Sequence, residues 1–318
     1  MHLNQQKIGR RIFFSRTAIV AASTFASRSF ARGEDAPRTI GLGFSLYGMK
    51  SLSVADALAA LARLGYDCVE LPVMPDWPAD SARLTAATRR ELRQQLADRG
   101  LRLTSLMENL PALGDDAQHR ANLDRLQRAA ELARDLATEK HVPLIETILG
   151  GKAGDFDAVK DGLAHRLNDW ASVAAKAEVV LAIKAHIGNA TQRPEQLLWL
   201  LDQARSPWLQ AAYDYSHFQL QNLEMAETMT ALLPRAAFIH VKDTEHAFGK
   251  RGFLLPGEGT IDYVAMFKQL RDSPYRGDVI VEVSSQVFNR AGYDPLTAAR
   301  QCYNHLAAAF SQAGLKRL

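Results

Sequence analysis

From Thr39 onward, short runs rich in Val, Ile, Leu and Tyr alternate with longer stretches of helical apolar spacing, and the pair recurs roughly every 30 to 40 residues. The strand-like runs are 40–47 (IGLGFSLY), 68–73 (CVELPV), 101–110 (LRLTSLMENL), 142–150 (VPLIETILG), 179–188 (VVLAIKAHIG), 209–218 (LQAAYDYSHF), 237–244 (AFIHVKDT) and 278–286 (DVIVEVSSQ). Between them, 53–65, 88–100, 120–137, 194–204 and 295–310 predict amphipathic helices, several ending at a glycine suited to a left-handed cap. A strand followed by a helix, repeated eight times, is the pattern of a single closed parallel (β/α)8 TIM barrel, here over residues 38–318. An open doubly wound sheet is disfavoured, because no Gly-x-Gly-x-x-Gly turn follows the first strand. No linker or low-complexity tract follows Pro37, so one domain is expected.

In such barrels the chemistry sits at the carboxyl ends of the strands. The polar residues there are Glu70, Glu108, Glu146, Lys184 with His186, Asp214 with His217, His240 with Lys242, and Glu282. Singly, a strand Glu can cap a helix, and a strand His is more often a satisfied core residue than a ligand. Together, charged or imidazole groups at the same end of successive strands point to one functional mouth. Strand alternation places Lys184 and His186 on one face of their strand, as it does His240 and Lys242, so both pairs can point into one mouth. Asp214, His240 and Glu282 supply two carboxylates and an imidazole, a donor set suited to a divalent ion such as Mn, Mg, Co or Zn.

The strings YDYSHF, FIHVKD, LPGEGTIDY (255–263) and VIVEVS occur in an order and spacing that resembles the sugar phosphate isomerase/epimerase family, the xylose isomerase-like barrels. The likeness spans about residues 38–310. The resemblance implies a divalent metal held by four side chains, with Asp214, His240 and Glu282 at three of the positions and His217 at a substrate-contacting one. At the fourth, where the family usually carries a metal-binding Glu, this chain has Lys184, which cannot ligate a metal while protonated. Three consequences stand side by side: another ligand, Glu146 or His186, replaces the Glu; the ammonium itself polarises a substrate carbonyl beside a weakly held metal; or the site is metal-free. The first two are the expectation.

The family's chemistry implies proton abstraction beside a carbonyl with a stabilised enediolate. Glu282, His186 and Lys184 are the catalytic candidates, Asp214, His240, Glu282 and Glu146 the metal candidates, and His217, Lys242, Arg251 and Glu108 the substrate-binding ones. A sugar or keto-sugar is the expected small-molecule substrate. The same enolate can instead expel a β-oxygen, which would make the protein a keto-glycoside lyase or keto-sugar dehydratase. A non-catalytic carbohydrate-binding barrel is the reading from outside enzymology, with Tyr47, Trp77, Tyr213, Tyr215 and Phe218 available for stacking on a sugar.

The first residues change the picture of charge and location. Arg10, Arg11, Phe13 and Phe14, a short apolar run from Thr17 to Ala26, and small residues at Ser29 and Ala31 resemble a twin-arginine signal cleaved after Ala31, which implies export to the periplasm. Removing residues 1–31 takes away Lys7, Arg10, Arg11, Arg16 and Arg28 and no acid, so the formal charge moves from +3 to −2. A mature chain near neutrality argues against a nucleic-acid partner, and no later apolar run is long enough to span a bilayer. A homo-oligomer is compatible with this composition. The only cysteines, Cys68 and Cys302, lie far apart in apolar surroundings and read as buried free thiols.

Overall fold

The computed structural model describes residues 39–245 and 252–318. Seven barrel strands come first: β1 (Leu42–Ser45), β2 (Cys68–Pro72), β3 (Arg102–Met107), β4 (Leu144–Ile148), β5 (Leu181–Lys184), β6 (Leu209–Asp214) and β7 (Ala236–Val241). A small antiparallel hairpin, β8 (Asp243–Glu245) with β9 (Gly252–Leu254), intervenes before the last barrel strand, β10 (Val279–Val281). The eight barrel strands pair in parallel, and β1 closes the ring by bonding to both β2 and β10. The expected TIM barrel is therefore present, with every predicted strand found.

The strands are shorter than the apolar runs that announced them. β5 stops at Lys184, so His186 lies in the following loop, and β6 stops at Asp214, so His217 and Phe218 belong to a short helix. The physical reason is that residues lining the mouth are buried by loops packed over it, and they keep an apolar pattern after the ladder has ended.

The helices are α1 (Val54–Leu64), α2 (Ala86–Asp98), α3 (Asp116–Asp135), α4 (Phe156–Ala177), α5 (Pro194–Ala204), the short α6 (Tyr215–Gln219), α7 (Met225–Leu232), α8 (Tyr263–Asp272), the short α9 (Ser285–Phe288) and α10 (Pro295–Gln312). Ser53, Thr85, Asp115, Asp262 and Asp294 cap α1, α2, α3, α8 and α10 by accepting from backbone N–H groups three residues on. α1 ends at Gly65 with φ 91°, as expected. α4 and α5 instead end on Glu178 and Arg205 at φ 54° and 46°, a conformation that costs a side-chain-bearing residue about 1 kcal/mol. Among the described residues no helix is long and apolar enough to cross a membrane.

Inside the ring, Cys68, Leu144, Ala182, Ala212, Phe238 and Ile280 form a separate buried cluster, distinct from the larger core between strands and helices. The small Ala182 and Ala212 leave room for Phe238, whose burial contributes on the order of 2–3 kcal/mol. A Cβ added at Gly43 would come within 2.6 Å of the Cys68 carbonyl, so only glycine lets β1 approach β2 at this level. Cys68 and Cys302 are free and buried, and burial pushes both thiols up.

Candidate active site

Two residues beyond each member of that apolar floor, on the same strand face, stand Glu70, Glu146, Lys184, Asp214, His240 and Glu282. The period-two geometry of six strands thus turns one apolar layer into one ionic layer above it. All six are buried, with Glu282 the most open at 8%. Lys242, two residues past His240, adds a second ammonium.

Glu282 Oε2 is the hub. Lys242 Nζ donates to it at 2.5 Å, Lys184 Nζ at 3.1 Å, and His240 Nδ1 lies 3.3 Å away. Lys242 also bonds Asp214 Oδ2, and Lys184 Nζ also contacts Glu146 Oε1 at 3.1 Å and His240 Nδ1 at 3.0 Å. On the far side of the imidazole, His240 Nε2 lies 2.9 Å from Glu70 Oε2, while Glu70 Oε1 accepts from Ser105 Oγ. This network assigns the His240 proton to Nε2, donating to Glu70, and leaves Nδ1 to accept from Lys184. Asp214 Oδ1 accepts from the Ser216 hydroxyl and backbone N–H, so its Oδ2 is turned toward Lys242.

The electrostatics follow from burial opposed by these partners. Burial alone would raise the Glu282 carboxyl, but Lys184, Lys242 and then His240 bring it well below the usual range. For Asp214, burial is likewise outweighed by Lys242 and His217. Burial works against the Lys184 ammonium, yet Glu146, Glu282 and Asp214 raise it above the ordinary lysine value. Glu146 goes the other way: burial raises it, Lys184 offsets this only in part, and neither carboxylate oxygen has a hydrogen-bond partner.

At the rim, His186 Nδ1 donates to the Ile187 carbonyl at 2.7 Å, which leaves its lone pair on Nε2. Its ring packs against His217 at 4.1 Å between centroids. Burial, His217 and the two lysines push His186 down to about 2, and burial with Lys242 pushes His217 down to about 4, so both stay neutral at physiological pH. His217 Nε2 lies 3.4 Å from Asp214 Oδ2. Tyr47 stacks on Trp77 at 4.8 Å and, with the Phe253 ring 5.1 Å from Lys242 Nζ, gives the mouth an aromatic wall.

The structure sorts the sequence candidates. Lys184, Asp214, His240, Lys242, Glu282 and Glu146 converge, and His186 and His217 stand beside them. Glu108 does not join: its carboxylate pairs with Arg125 of α3. Arg251 lies outside the described residues. Tyr213, Tyr215 and Phe218 are buried, and the Tyr213 hydroxyl bonds Thr228, so these three are core rather than a stacking surface. Glu70 had stood at a strand end without a role; the signal was its inward position two residues after Cys68. Asp243, the last residue of HVKD, organises the Gly-Glu-Gly loop by accepting from the backbone of Gly257 and Ile261, both at 3.1 Å.

Asp214, His240 and Glu282 each offer a ligand atom, all within 4.8 Å of one another, so donors of the type that a divalent ion needs do converge. Glu146 is not in that group; it faces Lys184. The inner atom of each is already engaged by an ammonium, however: Asp214 Oδ2, His240 Nδ1 and Glu282 Oε2 each face a lysine Nζ. As these side chains stand, they do not fit a resident divalent ion.

Among known proteins, the chain is 25% identical to the L-ribulose-5-phosphate 3-epimerase of Salmonella paratyphi B over 265 residues, covering 79% of this chain and 88% of that one. Similar solved structures include the IOLI protein with a bound zinc atom (TM-score 0.70, 16% identity, 86% of this chain and 100% of that one). Another is the probable 3-DHS dehydratase AsbF of Bacillus anthracis (TM-score 0.70, 18% identity, 84% and 99%). The model of the family described as xylose isomerase-like TIM barrels matches residues 58–308, most of the chain and every residue of the ion cluster, and the chain belongs to that family.

Proposed function

We propose that the protein is a sugar epimerase or isomerase that removes a proton from the carbon beside a carbonyl of a sugar or keto-sugar and returns it to a different face or carbon. The observation that carries this reading is the meeting of a carboxylate and two ammoniums at one point, Glu282 Oε2 with Lys184 and Lys242. A base and the positive charge that steadies an enediolate are thereby held a few ångströms apart. Glu282, kept ionised by the lysines, takes the proton. Lys184, and Lys242 as it turns from Asp214 to the ligand, donate to the developing oxyanion in a water-poor site. His186 and His217, neutral at the rim, hold sugar hydroxyls as donors or acceptors, and Tyr47 with Trp77 lies under the apolar face of the ring. The 3-epimerase relative supports the substrate class and the reaction type. On the twin-arginine reading of residues 1–31, the enzyme works outside the cytoplasm, where unphosphorylated sugars are the commoner substrates.

The test is incubation with ketopentoses, ketohexoses and keto-glycosides in D₂O, followed by NMR. Solvent deuterium beside the carbonyl together with a new epimer or isomer is expected, and Glu282→Gln should remove both. Release of water or an aglycone in place of reprotonation would reassign the protein as a lyase. Tight binding of sugar without deuterium uptake from any of them would leave a carbohydrate-binding barrel instead.

A further inference from the structure

We infer that the Lys184 and Lys242 ammoniums take the place of the divalent ion in this barrel, so that the site works without a resident metal. Three independent features lead there. The first is occupancy of the lone pairs: the inner atoms of the whole donor set, Asp214 Oδ2, His240 Nδ1 and Glu282 Oε2, are each in hydrogen-bond contact with an Nζ. Lys184 alone lies 3.0–3.1 Å from three of the mouth's side chains, hydrogen-bonded to His240 and Glu282 and ion-paired with Glu146.

The second is orientation. The remaining atom of Asp214 is held by Ser216 and that of His240 by Glu70, so neither side chain can turn away from the lysines without giving up a second partner. Such outer partners fix a ligand's direction in metal sites, and here they aim the ligands at lysines. The third is charge. Two ammoniums carry the charge of one divalent cation, and they face the two carboxylates, Asp214 and Glu282, that would otherwise neutralise it. Adding the ion at the point where these donors meet would set a double positive charge against two ammoniums at contact distance, in a buried site where screening is weak. The residue on β5 is decisive, because a carboxylate there would both remove one ammonium and add a ligand.

This inference deepens the enolisation reading and shares its site, but its test needs no substrate, so the two fail separately. The full-length protein is purified, exposed to excess Mn²⁺ or Zn²⁺, dialysed and subjected to elemental analysis. Lys184→Glu and, as a milder change, Lys184→Gln are treated alongside, with circular dichroism to confirm that each is folded. The wild type is expected to retain well under one metal per chain. Lys184→Glu is expected to gain stoichiometric metal and to bind Mn²⁺ about a hundredfold more tightly or better, with Lys184→Gln intermediate. Stoichiometric metal surviving dialysis in the wild type, or folded Lys184 variants with no gain in Mn²⁺ affinity, would overturn the inference.

Discussion

The two ends of the barrel handle buried charge in opposite ways. At the amino-terminal end one carboxylate, Asp278, lies among three partners: Gly41 N–H donates to Oδ1 at 2.9 Å, Thr104 Oγ to Oδ2 at 2.6 Å, and Arg102 to both oxygens. Every lone pair that matters is used, and nothing remains for a ligand. At the carboxyl-terminal end four carboxylates share two ammoniums and one imidazole, and Glu146 is left without a hydrogen bond. Both ends meet the same penalty for burying charge, but only the second leaves capacity unspent. The closed end ties β1, β3 and β10 together; the open end leaves the Glu146 carboxylate with acceptor capacity unspent.

Substitutions at the two ends should separate these roles. The largest effect is expected at the mouth. Lys184→Met should lower deuterium exchange of a turned-over keto-sugar by about 10²–10³-fold, the usual loss when one oxyanion donor is removed. At the closed end, Asp278→Ala should cost about 3 kcal/mol in urea unfolding, because Arg102 and the Gly41 amide lose their acceptor, with kcat of the folded fraction unchanged. If Asp278→Ala altered kcat in the folded protein, the division between the ends would fail.

Acid should also act on the mouth first. His217 is held at about 4 in the folded chain by burial and Lys242, below the ordinary ~6.5 of an unfolded histidine. A lowered folded value means that the unfolded chain binds the proton first. Stability is therefore full above about pH 6.5 and declines as pH falls from there toward 4, by about 2 kcal/mol at pH 5. His186, held lower still, adds a similar share over the same range, so His217→Gln should remove about half of the slope in thermal melts, and an unchanged slope would contradict the assignment. The smallest effect is expected at the rim: Trp77→Ala should raise KM by up to about tenfold and leave kcat unchanged, as lost stacking on Tyr47 and sugar predicts.

The barrel was legible because eight short apolar runs alternating with amphipathic helices admit few other closures. The mouth was legible for the same reason: one period of two carries Cys68 to Glu70, Ala182 to Lys184 and Phe238 to His240. What the sequence did not disclose were pairings across the ring. Glu70 meets His240 across 170 positions of chain, and Glu108 turns outward because α3 brings Arg125 to it. Lys242 looked like a substrate residue; its contact with Asp214 and Glu282 depends on where β6, β7 and β10 sit in the ring. Tyr213 and Phe218 could not be told from rim aromatics until the packing of α6 and α7 over β6 was seen. The proposed signal segment and Arg251 lie outside the described residues.

The most direct measurement is deuterium wash-in from D₂O at the carbon beside the carbonyl of a keto-sugar, carried out with protein stripped by chelator and verified metal-poor by elemental analysis. A cluster of carboxylates and ammoniums sufficient for enolisation should exchange that proton at the rate of untreated protein. Exchange that vanishes on stripping and returns only with added metal, or that is absent from both samples with every keto-sugar, would contradict it.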